Sequence, residues 1–187
     1  MIKTILRKIA KDTDGKVELK LILLFIPVAY FTYLFHEFGH WTVGEVLGNC
    51  MTFSLNNVSP QSGHYINSSH SLWITLGGPA FTVLLALISL LIIKIYKTIW
   101  AYPFLFFQFF CRFFSIVFGE FSKQDEARAS AIIEIGKYTI AISVILLLLF
   151  LVWRGSYMLK LNYKSNWYFF TISVVCELLV IATDKVI

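Results

Sequence analysis

Five long apolar runs alternate along this chain with short polar connections. The runs cover about residues 19–46, 72–93, 100–118, 132–153 and 167–182, each near the roughly 20 residues with which a helix crosses a bilayer's hydrocarbon core. Pro103, Gln108 and Arg112 interrupt the third. The connection over residues 48–71 contains no Lys or Arg. Within it MTFSL alternates with a period of two, Asn56-Asn57 and Ser59-Pro60 are turn signals, and HYI follows, which predicts a short hairpin. Ahead of the first run, Ile2, Ile5, Leu6 and Ile9 recur at helical spacing and predict a short amphipathic surface helix over residues 2–10. The expected fold is an all-α polytopic membrane protein. Residues 1–187 would form a single membrane-embedded domain of about five transmembrane helices, with a hairpin-like loop after the first.

Composition agrees with that pattern. Of 187 residues, 58% are hydrophobic and 14% are charged, against about a quarter charged in a soluble domain. The net charge of +5 is not a nucleic-acid footprint, because the basic residues gather at the N-terminus and in connections. With the N-terminus inside, Lys3, Arg7, Lys8, Lys11, Lys16, Lys20, Lys94, Lys97, Arg154, Lys160 and Lys164 are cytoplasmic, while Lys123, Arg128 and Lys185 face the other side. That partition predicts a cytoplasmic basic segment over 1–18 and an extracytoplasmic loop over 48–71. Arg112 and Lys137 are left inside spans, where such side chains pair with acids or snorkel. The start of the chain has no small-residue cleavage site and its apolar run is too long for a signal sequence. Cys50, Cys111 and Cys176 are odd in number and far apart, which argues against a disulfide framework or a cysteine zinc site.

One stretch breaks the apolar logic. Residues 35–41 read FHEFGHW inside the first run, and ionisable groups at such a position mark a functional site by default. On a helix His36 and His40 project from one face, with Glu37 about 100° away. This is the HExxH arrangement: two imidazole ligands to zinc and a glutamate as general base. A catalytic zinc site takes three protein ligands and keeps one position open. Val43 stands where the extended HExxHxxGxxH pattern has glycine, so the third ligand comes from elsewhere. His64, His70, Glu120, Asp125, Glu126 and Glu134 are the candidates. The histidines lie about 24–30 Å along the helix from Lys20, toward the side that Asp125 reaches after the third span. Glu45, one turn beyond the motif, is a candidate neighbour of the site or an interface residue.

HEFGH in the first span, LGGPAF (residues 76–81) opening the second, and an acidic stretch after the third together resemble the site-2 protease family of intramembrane zinc metalloproteases. The resemblance runs through residues 20–153 in order. The family's LDG or NPDG form is replaced by SKQDEARAS (residues 122–130). By position the resemblance implies Asp125 as third ligand, with Glu120 and Glu126 as rivals. It implies Zn2+ as the cofactor and a membrane-protein substrate, cleaved in or near a transmembrane segment, as the partner within the lipid bilayer. Glu37 would be catalytic, His36, His40 and Asp125 would hold the metal, and His64 would line the cleft as a hydrogen-bond donor. Gly77, Gly78 and Pro79 are expected to pack helices closely and relax the backbone. A non-catalytic membrane protein that binds metal or a partner through the same residues is the competing reading, and the intact Glu37 speaks against it. A soluble-substrate peptidase anchored in the membrane comes third.

Overall fold

The computed structural model describes residues 19–119 and 121–185; the segment 1–18, with the expected surface helix over 2–10, and Glu120 lie outside them. The chain forms α1 (Leu19–Val46), β1 (Met51–Phe53), β2 (Val58–Pro60), α2 (His70–Tyr96), a 3-10 turn (Ile99–Ala101) leading into α3 (Tyr102–Phe118), a second 3-10 turn (Phe121–Lys123), α4 (Asp125–Ile132), α5 (Thr139–Met158) and α6 (Tyr163–Asp184). Five segments are long and apolar enough to cross a membrane: Leu19–Val46, His70–Tyr96, Ile99–Phe118, Thr139–Met158 and Tyr163–Asp184. The protein is an all-α polytopic integral membrane protein.

Helices cross lipid because every interior backbone group is bonded within the segment. Their outward faces are apolar as well: Leu23, Leu84, Leu91, Leu146, Phe150 and Leu178 are all exposed. Inside, aromatic side chains interlock. Phe25 of α1 stacks on Phe169 of α6 with ring centroids 5.6 Å apart, and Tyr102 of α3 packs on the same ring at 5.1 Å.

The α1–α2 contact is closest at two glycines. A Cβ built on Gly39 would lie 2.5 Å from the Gly77 carbonyl oxygen, and one on Gly77 would lie 2.6 Å from that of Gly39. Only hydrogen fits between the backbones, as in small-residue packing of membrane helices.

Two regions depart from the sequence expectation by more than a few residues at a helix end. The fourth span does not begin near residue 132, and Asp125 stands on a separate helix. Its helix α4 ends at Ile132, and α5 begins only at Thr139. Glu134 (φ 57°) and Gly136 (φ 92°) adopt left-handed conformations that a continuing helix excludes. The Ser130 hydroxyl accepts from the Ile140 N–H at 3.4 Å, fastening the start of α5 to α4. Lys137 therefore lies in a connection, over the rings of Phe121 and Tyr138. In the hairpin, the second strand is Val58–Pro60, not HYI, and pairs antiparallel with Met51–Phe53. Ser59-Pro60 is strand; the turn falls at Ser54–Asn57, whose ends are joined by the Ser54 N–H donating to the Asn57 carbonyl at 3.0 Å. Pro60 is tolerated at the end of an edge strand, where its missing N–H is not needed.

Candidate metal centre

Helix α1 carries His36, Glu37 and His40 on its inward side, all buried. Their ligating atoms lie within 4.8 Å of one another. Helix α4 brings Asp125 onto the same point. Its Oδ2 is 2.9 Å from His36 Nε2 and 3.3 Å from His40 Nε2, and the two Nε2 atoms are 3.2 Å apart. Zinc bonds of about 2.0–2.2 Å at tetrahedral angles set neighbouring ligand atoms about 3.3–3.6 Å apart. The observed triangle needs only a few tenths of an ångström of expansion to become one face of such a site.

The far sides of the imidazoles are fixed. His40 Nδ1 lies 2.6 Å from the Ile74 carbonyl oxygen of α2. The Gly78 N–H also approaches Nδ1, at 3.3 Å, but the carbonyl is nearer and can only accept, so Nδ1 carries the proton. In the neutral ring, Nε2 of His40 then offers a lone pair. It faces another imidazole nitrogen and a carboxylate oxygen. His36 Nδ1 lies 2.9 Å from the Thr82 hydroxyl, which serves the same orienting purpose. Three electron-pair donors thus converge, as a cation requires, and the residues present fit zinc.

Helix α2 is shaped to admit this cluster. A Cβ on Gly78 would collide with both imidazole rings, so only glycine leaves them room. Pro79 offers no N–H to the Thr75 carbonyl four residues back, and beside this gap the Ile74 carbonyl turns to His40.

A polar cavity of about 490 Å³ opens on the cluster, lined by His36, Glu37, His40 and Asp125 together with Tyr33, Asn56, Val58, Tyr65, Thr75 and Arg112. Among the described residues, no hydrogen bond or ion pair engages the Glu37 carboxyl, although Glu37 is only 7% exposed. Beside Asp125, Arg128 donates to its other oxygen, Oδ1. Glu126 turns instead to Arg112, with Oε1 3.7 Å from Nη1.

The remaining sequence candidates lie elsewhere. His64 is exposed and folds back on the Ser62 carbonyl at 2.9 Å; its neighbour Tyr65 lines the cavity instead. His70 opens α2, with Nδ1 3.1 Å from Asn49 Nδ2. Glu134 sits in the α4–α5 connection. Glu45 accepts from the Met51 N–H at 2.8 Å and holds the hairpin to the end of α1. Sequence reasoning overlooked Tyr33, whose hydroxyl donates at 2.7 Å to Glu177 of α6, itself 1% exposed. The signal was present: Tyr33 stands three residues before His36, on the same helix face, and Glu177 is a lone acid within an apolar run.

Compared with known proteins, the chain matches no family model, no curated protein and no solved structure.

Proposed function

We propose that the protein is an intramembrane zinc metalloendopeptidase that hydrolyses a peptide bond in or near a transmembrane segment of a membrane-protein substrate, as its resemblance to site-2 proteases implies. The supporting observation is the convergence of His36 Nε2, His40 Nε2 and Asp125 Oδ2 beside an unengaged Glu37 carboxylate, at the wall of a polar cavity inside a membrane bundle. A site for binding alone needs the first three groups and has no use for the fourth.

His36, His40 and Asp125 would hold the zinc, and Ile74 and Thr82 would keep the imidazoles aimed. Bound there, zinc supplies a Lewis acid that polarises a carbonyl and acidifies water. Glu37 takes a proton from water onto a carboxylate oxygen and returns it to the departing amide nitrogen. A helical substrate must unwind first, since its carbonyls are bonded internally. Asn56, Asn57 and Val58 of the hairpin border the cavity and offer backbone to an extended segment. In the same reading the N-terminus is cytoplasmic and the hairpin lies on the opposite side, as the basic residues are partitioned.

The test is purified protein assayed for zinc and for cleavage of a membrane-spanning substrate, beside Glu37→Gln. The expected result is one zinc per chain in both and cleavage only by the first. Equal cleavage by both, or no zinc in either, would overturn the proposal.

A further inference from the structure

Arg112 of α3 is 8% exposed and borders the cavity. A guanidinium carries five N–H donors, and buried donors are nearly always used. Here they are not. Nη1 stands 3.8 Å from Asp125 Oδ2 and 3.7 Å from Glu126 Oε1, both beyond hydrogen-bond distance. Nη2 reaches only the Cys111 sulfur, at 4.0 Å. Nε is buried with no partner at all. The two carboxylates balance the charge of Arg112 without satisfying its hydrogen-bonding capacity.

The other cations around the cavity are engaged. Arg128 is bonded to Asp125, and Lys123 has its own interaction. Among the described residues, Arg112 is therefore the guanidinium whose donors await an acceptor, and it sits at the cluster. Its Nη1 contacts the same Asp125 oxygen that lies 2.9 Å from His36 Nε2. A group on Arg112 is thus no more than about two residues of extended chain from a peptide bond at the cluster.

We infer that the cavity recognises a carboxylate of its substrate, held by the unsatisfied fork of Arg112 next to the scissile bond. A carboxylate matches the guanidinium fork in geometry and charge, and it supplies the oxygen acceptors that Asp125 and Glu126 stand too far away to provide. The inference rests on the peptidase reading for the identity of the ligand. That carboxylate is either an acidic side chain close to the cleaved bond or the free C-terminus of a substrate that ends shortly beyond that bond.

Three kinds of fluorescent apolar peptide separate these sources: amidated peptides with a glutamate at each of four positions in turn, one amidated with glutamine, and the glutamine form with a free C-terminal carboxylate. Binding is measured by anisotropy to the Glu37→Gln protein in nanodiscs, with zinc content determined on the same samples. An acid-bearing peptide should bind at least about ten-fold more tightly than the glutamine amide, the margin of a charge-assisted hydrogen-bonded pair. Which acid gains the advantage tells side chain from terminus. Adding Arg112→Gln should shrink that preference to under about three-fold. Arg112→Gln combined with Glu126→Gln keeps the buried charge balanced and serves if the single change does not fold. Equal affinity for all three kinds of peptide, or a preference that survives the loss of Arg112, would overturn the inference. Absence of zinc with the preference intact would sink the peptidase reading alone.

Discussion

Asp125 and Glu126 are adjacent, both buried and both acidic, yet they do different work. Asp125 Oδ2 meets the imidazoles, whereas Glu126 faces Arg112. Asp125→Asn should therefore lower zinc affinity ten-fold or more, since an anionic third ligand is replaced by a neutral one. Glu126→Gln should leave zinc stoichiometric and instead lower thermal stability by about 1–3 kcal/mol, because the buried guanidinium of Arg112 keeps only one of the two carboxylates that balance it. Metal analysis beside a melting curve for each variant checks both, and a zinc-replete Asp125→Asn protein would remove Asp125 from the site. Gly78→Ala forms a second test at this scale. Its methyl would land on both rings, so loss of metal should follow even though the change is chemically slight. His36 and His40 could be read from their spacing, and Gly78 from the expectation of close packing. Arg112 could not. A lone arginine in an apolar run says that it needs a partner, and only the fold shows that its nearest acids stand too far away.

The spans were legible because an apolar run of about 20 residues has few alternatives to a membrane helix. Less legible were the elements whose limits are set by local contacts. The apolar residues Ile132, Ile133 and Ile135 continue the pattern of a span, yet the left-handed turn at Glu134 and Gly136 separates α4 from α5. Likewise HYI has the composition of a strand, but the pairing that forms joins Met51–Phe53 to Val58–Pro60. That hairpin is anchored to α1 through the Glu45 carboxylate and the Met51 N–H. Glu45→Ala should loosen it. Hydrogen exchange over residues 51–60 is expected to speed up at least several-fold, with zinc content unchanged. Unaltered exchange would mean that the hairpin is held by other contacts.

Across the whole molecule, the cluster joins three elements that are remote in sequence, α1, α2 and α4. Stripping zinc with a chelator should lower the melting temperature, and adding it back should restore it, because a ligand bound only by the folded state stabilises by mass action. Asp125→Asn should blunt that response. Sidedness is tested in a Cys50→Ser background, since Cys50 is the exposed free cysteine among the described residues. An impermeant thiol reagent applied to intact cells should label Ser62→Cys in the hairpin loop and not Lys164→Cys at the start of α6. The reverse pattern would invert the topology.

The His40–Asp125 approach spans 85 residues of chain. With a metal ion between them, that contact becomes a reversible staple closing the loop, comparable in its constraint to a disulfide. Drawn out of a bilayer by its two ends, the metal-loaded chain would hold back those residues until the coordination gives way. About 300 Å of contour, at roughly 3.3–3.6 Å per residue, would then be released in one late event. A single-molecule pulling trace with and without chelator would show that event as a force peak present only in the loaded protein.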